Sequence, residues 1–251
     1  VCGWKSKTLL PLVRKFAKHL EQEYLLSHSS PLYDEEHVER IDSVTLPVSC
    51  TSIAQLPSYH RAVKYIKLRG LSERDVWRWR LMWISDGEFR DRVLFPSFSS
   101  DGSLSFWVAR VAGEWRPKYV NPNIPANDII FGEIDVDFRG DIIICEGPFD
   151  AVKCGDRAVP LLGSSLDESH ALFDTIVKND SVVTLMLDSD AQRKALKIAS
   201  LLSSYDVTVK IARSSPDPGA MTHQECQDAV NNATLFTWES MLKSKMEIAL
   251  T

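Results

Sequence analysis

Glu146, Asp188 and Asp190 are the residues best suited to chemistry by type and spacing in this 251-residue chain. Glu146 closes the apolar run Ile142-Ile143-Ile144-Cys145 and is followed by Gly147 and Asp150. Further on, the run from Val182 to Leu187 ends in Asp188-Ser189-Asp190. Short apolar runs of this kind read as buried parallel strands. An acid where such a strand stops lies at the carboxyl edge of its sheet, where open α/β sheets hold their ligands. Three carboxylates gathered there make a hard-oxygen site for Mg²⁺ or Mn²⁺. Singly, each acid reads more simply as a helix cap or a turn residue. Jointly they crowd negative charge, which like-charge repulsion disfavours unless a cation neutralises it. The joint pattern favours a metal site.

The elements that must position these acids alternate. A strand over Ile142–Cys145 leads into a helix from Pro148, where proline fits the first helical turn. A second strand follows over Ala158–Leu162, then Gly163-Ser164-Ser165 and a helix over Asp167–Lys178. The strand Val182–Leu187, an amphipathic helix over Ala191–Ser203 and a strand over Val207–Ala212 complete the unit. Such alternation predicts a mostly parallel sheet with helices on both faces. Upstream, helices are expected over Thr8–Leu26 and Ser58–Leu68, with a polar linker over Ser27–Cys50 between them. Ser72, with Asp75 three residues on, marks another helix start. Arg92–Pro96 and Leu104–Val111 read as strands joined by a hairpin at Ser100-Asp101-Gly102, and Lys118–Pro122 as extended. Downstream, Thr222 and Glu225 form a capping box, with helical sequence towards Lys245.

Composition fits a globular protein, and no apolar run reaches membrane-spanning length. No secretory signal precedes the fold; the first residue is Val, so the chain is read as a fragment or a trimmed product. The five cysteines are scattered without Cys-x-x-Cys spacing, so neither a disulfide framework nor structural zinc within this chain is expected, and a reducing cytoplasm is the default. Net charge is −5, which alone argues against nucleic acid. Its distribution argues otherwise. Thr51–Val120 holds 12 Lys/Arg against 7 Asp/Glu, so the rest of the chain carries −10. A basic module joined to an acidic one suits an enzyme that acts on a polyanion through metal ions. Five of the seven tryptophans, Trp77, Trp79, Trp83, Trp107 and Trp115, lie in the basic stretch. Trp beside Arg can stack bases, although core packing is the more common use.

Several motifs in order resemble the catalytic core of a bacterial-type DNA primase, in an abbreviated, phage-like form. Glu146-Gly147 and Asp188-Ser189-Asp190 match the Toprim pattern, which these primases share with topoisomerases and some nucleases. Arg92-Val-Leu-Phe-Pro96, Asp101-Gly102 and Val108-Ala109-Arg110 resemble the primase run Arg-x-x-Phe-Pro, Gly and a following Arg. Lys118-Tyr119-Val120-Asn121 resembles Lys-Tyr-Leu-Asn, Glu146-Gly-Pro-Phe-Asp150 resembles Glu-Gly-x-x-Asp, Leu162-Gly163-Ser164 resembles a Leu-Gly-Thr/Ser turn, and Asp217-Pro218 resembles the start of Asp-Pro-Asp. The matches span about Tyr59 to Pro218. Two features depart from the family: Ala191-Gln192-Arg193 after the Asp-x-Asp, and Gly219 in place of the second Asp. Val1-Cys2-Gly3-Trp4-Lys5 resembles the end of the zinc-binding module that precedes primase cores, with Cys2 its last ligand; a chance match is the other reading. The tail after Ser240 is shorter than a full helicase-binding domain.

The resemblance implies an α/β Toprim fold, with a smaller basic α+β primase subdomain before it and a short helical tail behind. The expected divisions are an N-terminal helix and linker over 1–50, the basic subdomain over 51–135, the Toprim unit over 136–215 and the tail over 216–251. It implies synthesis of short RNA primers from NTPs on a single-stranded DNA template, in DNA replication. Glu146, Asp188 and Asp190 would be catalytic and hold Mg²⁺ or Mn²⁺, with Asp150 and Asp217 as weaker ligands; Glu146 could instead be a general base. Arg92, Arg110 and Lys118 would bind triphosphate or template phosphates, and Asn121 would orient Lys118 or touch nucleic acid. A replicative helicase and a separate zinc-binding module are the implied partners, with no membrane, in a cytoplasm that would be the host's if a phage encodes the chain. A Toprim nuclease using the same acids with water, and an inactive core that binds single strands or recruits a helicase, are the alternatives.

Overall fold

The computed structural model describes residues 13, 17–20, 44–114, 116–163, 165–239 and 242. Most of the helix expected over Thr8–Leu26, most of the linker, Cys2, Trp115, Ser164 and nearly all of the tail beyond Ser240 lie outside the described residues; within that helix Val13 is helical and Lys18–Leu20 form a 3₁₀ turn. Among the described residues, no helix is long and apolar enough to cross a membrane.

The basic half folds as a five-stranded sheet flanked by two helices. In chain order its elements are β1 (Cys50–Ser52), α1 (Arg61–Leu68), α2 (Glu73–Arg78), β2 (Met82–Ile84), β3 (Arg92–Phe98), β4 (Leu104–Val111) and β5 (Tyr119–Val120). The strands pair antiparallel in the order β1-β2-β3-β4-β5. α1 starts three residues later than its periodicity predicts. His60 caps it, its Nδ1 accepting the Ala62 amide at 3.1 Å. α2 carries the expected capping box: the Ser72 amide donates to Asp75 Oδ2 at 2.6 Å, and the Asp75 amide to Ser72 Oγ at 3.2 Å. The β3–β4 hairpin turns through Gly102, whose φ of +85° favours glycine. β1 and β2 were not anticipated; at three residues each, neither carries a readable alternation.

The acidic half is β6 (Asp141–Cys145), α3 (Pro148–Cys154), β7 (Ala158–Pro160), α4 (Ala171–Asn179), β8 (Val182–Leu185), α5 (Gln192–Ser203), β9 (Val209–Ile211), α6 (His223–Asn231) and β10 (Thr234–Leu235). The order is β10-β9-β8-β6-β7, parallel except for β10 against β9. α4 begins at Ala171 rather than Asp167, because Asp167 Oδ1 takes the amide and hydroxyl of Ser169 and holds a turn there. After α6 the helical expectation gives way to the edge strand β10, with further helical residues at Trp238, Glu239 and Leu242.

β6 is buried on both faces, as a central parallel strand must be. Its side chains alternate between two cores. Ile142 and Ile144 pack with Val183, Leu185 and the apolar faces of α4 and α5. Ile143 and Cys145 join Val93, Phe95, Phe106 and Val108 of the other sheet, with Phe149 of α3 and Ile66 of α1. The two sheets therefore share one apolar core. Phe149 meets Phe95 edge to face, their ring centres 4.8 Å apart.

Candidate active site

The acids come from the carboxyl edge of the parallel sheet. Glu146 follows β6, Asp150 sits in the first turn of α3, Asp188 follows β8, and Asp217 lies in the loop after β9. The cations come from the other half: Arg69 from the end of α1, Arg110 from β4, Lys118 from the residue before β5. Both sets line one cavity of about 470 Å³, together with Asn121 and Tyr119. The fold thus brings together seven of the nine candidate site residues. Asp190 and Arg92 do not line the cavity.

Asp150 serves first as a cap. Its Oδ2 accepts the Gly147 amide at 2.8 Å. Burial lifts its pKa, the Gly147 amide lowers it, the Glu146 charge raises it, and Arg69 and Arg110 lower it. Gly219 closes tightly on this carboxylate: a Cβ there would stand 2.5 Å from Asp150 Oδ1. That contact accounts for glycine where the family resemblance expected a second Asp. Asp217 Oδ1 accepts both the amide and the hydroxyl of Ser189, at 3.1 and 3.0 Å, and so ties its loop to the Asp-x-Asp turn.

Asp188 carries the largest electrostatic load. Burial, followed by the charges of Asp150, Glu146, Asp217 and Asp190, pushes its pKa up to about 6. Its carboxylate has no hydrogen-bond or ion-pair partner among the described residues. Glu146 has one cation beside it, Lys194 of α5, with Nζ 3.7 Å from Oε2. Asp190 is exposed beyond the cavity.

Among the described residues, no three Asp, Glu, His or Cys side chains are gathered closely enough to enclose a metal ion. The donor set nevertheless suits a hard divalent cation. It consists of carboxylates, and Asp188, crowded by four other acids, lacks a compensating charge of its own.

On the basic wall, the Arg110 guanidinium stands over Phe149 at 5.3 Å and Tyr119 at 5.1 Å, and donates to the Tyr119 hydroxyl. Lys118 Nζ lies 5.9 Å from the Tyr119 ring centre. Asn121 donates to the Pro122 carbonyl at 3.1 Å. Arg92 is 5% exposed, and its Nη1 donates to the Lys118 carbonyl at 3.4 Å, so it backs the Lys118 segment from beneath. Burial lowers its pKa, and its Nε is buried without a partner.

Sequence reasoning passed over Arg69, Tyr119, Gly219 and Lys194 as site residues. Arg69 lies 4.7 Å over the Phe149 ring, and its Nη2 donates to the Gly219 carbonyl at 3.3 Å. The one signal for it was a cation next to Gly70 at a helix end. Trp79, Trp83 and Trp107 are core residues, Trp107 donating to the Thr45 carbonyl at 3.0 Å; Trp77 is exposed.

The two-sheet α/β fold, with an acidic carboxyl edge facing basic strands, is similar to that of solved DnaG primase catalytic cores. A DnaG primase catalytic domain bound to single-stranded DNA superposes with a TM-score of 0.58 at 19% identity, covering 72% of this chain and 74% of that one. The Aquifex aeolicus primase, comprising zinc-binding and RNA polymerase domains, gives a TM-score of 0.60 at 20% identity over 75% of this chain and 60% of that one. In sequence, the DNA primase of Geobacillus stearothermophilus is 29% identical over 140 residues, 50% of this chain and 23% of the relative. The chain spans less than a third of the length of the curated relatives it matches. No family model matches it.

Proposed function

We propose that this chain is the catalytic core of a DNA primase, which makes short RNA primers from NTPs on a single-stranded DNA template during DNA replication. The observation that carries the reading is the meeting, across one cavity, of the acid edge of the parallel sheet with Arg69, Arg110 and Lys118 of the other sheet. Nucleotidyl transfer sets a polyanion beside negative charge developing at the reacting phosphate, so it needs carboxylates and cations face to face. A related core bound to single-stranded DNA supports the choice of template.

Glu146 and Asp188 would hold Mg²⁺ or Mn²⁺, with Asp190, Asp150 and Asp217 as further carboxylates. Such ions supply stabilisation of the attacking and leaving oxygens. Arg110 presents a guanidinium fixed by Phe149 and Tyr119, suited to a two-pronged phosphate contact, and Lys118 adds a point charge. Arg69 is held at the same wall by Phe149 and Gly219. Arg92 supports Lys118 from behind rather than touching phosphate itself. Asp150 positions the Glu146-Gly147 turn through its cap. Residues 51–135 form the nucleic-acid-facing unit in this reading, and 136–215 the metal-holding one. A zinc-binding module and a helicase would act in trans, in the cytoplasm.

The test is primer synthesis with labelled NTPs on mixed-sequence single-stranded DNA, wild type beside Asp188→Ala. Short RNA from wild type, abolished in the variant, is the expected result. Cleaved template without RNA would replace the primase reading with that of a nuclease.

A further inference from the structure

The first turn of α5 carries Gln192, Arg193 and Lys194 and no acid. Cations are poorly placed there, because the unpaired amides of a helix start already make that end positive. Arg193 and Lys197 point out to solvent. Lys194 instead folds inward to Glu146, and the two side chains retain only 24% and 25% of their exposure. Among the described residues, Glu146 has no other cation within ion-pair distance. Its charge also acts on Asp150 and Asp188. Lys194 does not line the cavity shared by Arg69, Arg110 and Lys118. It reaches the acid from α5.

We propose that Lys194 is a positioning residue that supplies a built-in cation for Glu146 and competes with divalent cations for that carboxylate. The inference rests on the reading of the acids as a divalent-cation site. The local sequence places a lysine where the helix itself disfavours one, and a compensating gain elsewhere is the usual account of such a choice. With Lys194 in place, the Glu146 carboxylate has a cation 3.7 Å away before any ion arrives. The ion that then binds Glu146 must displace the ammonium, so Lys194 sets how much divalent cation the site requires.

The experiment is titration of Mn²⁺ alone into the full chain, followed by electron paramagnetic resonance of the free ion, without nucleotide or template. Lys194→Met is expected to bind Mn²⁺ about two- to fivefold more tightly than wild type, the effect of losing a partly exposed ion pair. Lys194→Gln should behave alike, and Lys194→Arg should stay near wild type. Lys197→Met, which removes a charge from the exposed side of the same helix, should change little. Unchanged or weaker binding in both Lys194→Met and Lys194→Gln overturns the proposal, and so does an equal gain in Lys197→Met. Wild type that takes up no Mn²⁺, or takes it up equally after Asp188→Ala, would instead overturn the metal reading of the acids on which the inference stands.

Discussion

Asp188 shows what the acid edge costs a protein without its cation. Its pKa, about 6 in the fold, lies above its ordinary value of 3.8. Between those values the folded protein holds a proton that the unfolded chain has released. The contribution of this group to stability is therefore fullest below about pH 4 and is lost as pH rises through 6. In metal-free protein, Asp188→Asn should raise the urea midpoint at pH 8 and leave it nearly unchanged at pH 4. With the half-exposed carboxylate discounted for solvent screening, the gain should be on the order of 1 kcal/mol. Gly219 makes the opposite kind of prediction. Gly219→Ala pushes a methyl against Asp150 and should cost about 1–3 kcal/mol, measured by thermal melting, along with primer yield. At this scale Glu146 and Asp188 were legible because each closes an apolar run, whereas Asp150 and Asp217 entered as candidate ligands only through the family resemblance. Arg69, Tyr119 and Lys194 were not, since their roles arise from elements distant in sequence. Arg92 matched a motif, yet pairing within the first sheet buries its side chain, a consequence of strand register that its motif does not encode.

At the scale of elements, the long strands and capped helices could be read in advance, because period and capping residues agree there. α3 begins at Pro148 and the Ser72 box starts α2, as expected. β1, β2 and β10 escaped notice, being two or three residues long and held by their partner strands rather than by any pattern of their own. α3 is the element on which the two halves meet, through Phe149, which is 2% exposed. Phe149→Ala should cost about 3–5 kcal/mol in denaturant unfolding, and Phe149→Leu clearly less. Because Arg69 and Arg110 stack on that ring, primer synthesis should fall more steeply in Phe149→Ala than the loss of folded protein explains.

At the scale of the molecule, the proposed function asks a chain of net charge −5 to hold a polyanion. Only the local surplus in the basic half and the cations at the cavity make that workable, and such binding is sensitive to salt. The affinity for a fluorescent single-stranded oligonucleotide should fall steeply with salt. Lys118→Gln should weaken it across template sequences and reduce the slope of log affinity against log salt by about 0.7 if one phosphate contact is lost. The basic and acidic halves were legible in composition. Their common core was not, because no local pattern marks which face of β6 meets which sheet.

That common core has a genetic consequence. Phe149 packs against Phe95 of one sheet, follows the acid edge of the other, and backs the two arginines of the basic wall. Damage to the hydrophobic interior is therefore transmitted directly to the geometry of the candidate site. A random-mutagenesis screen for loss of priming should recover Phe95, Phe149 and Phe106 alongside the carboxylates. Suppressors of a weakened acid-edge variant should then arise at buried positions between the sheets, far from the variant in sequence.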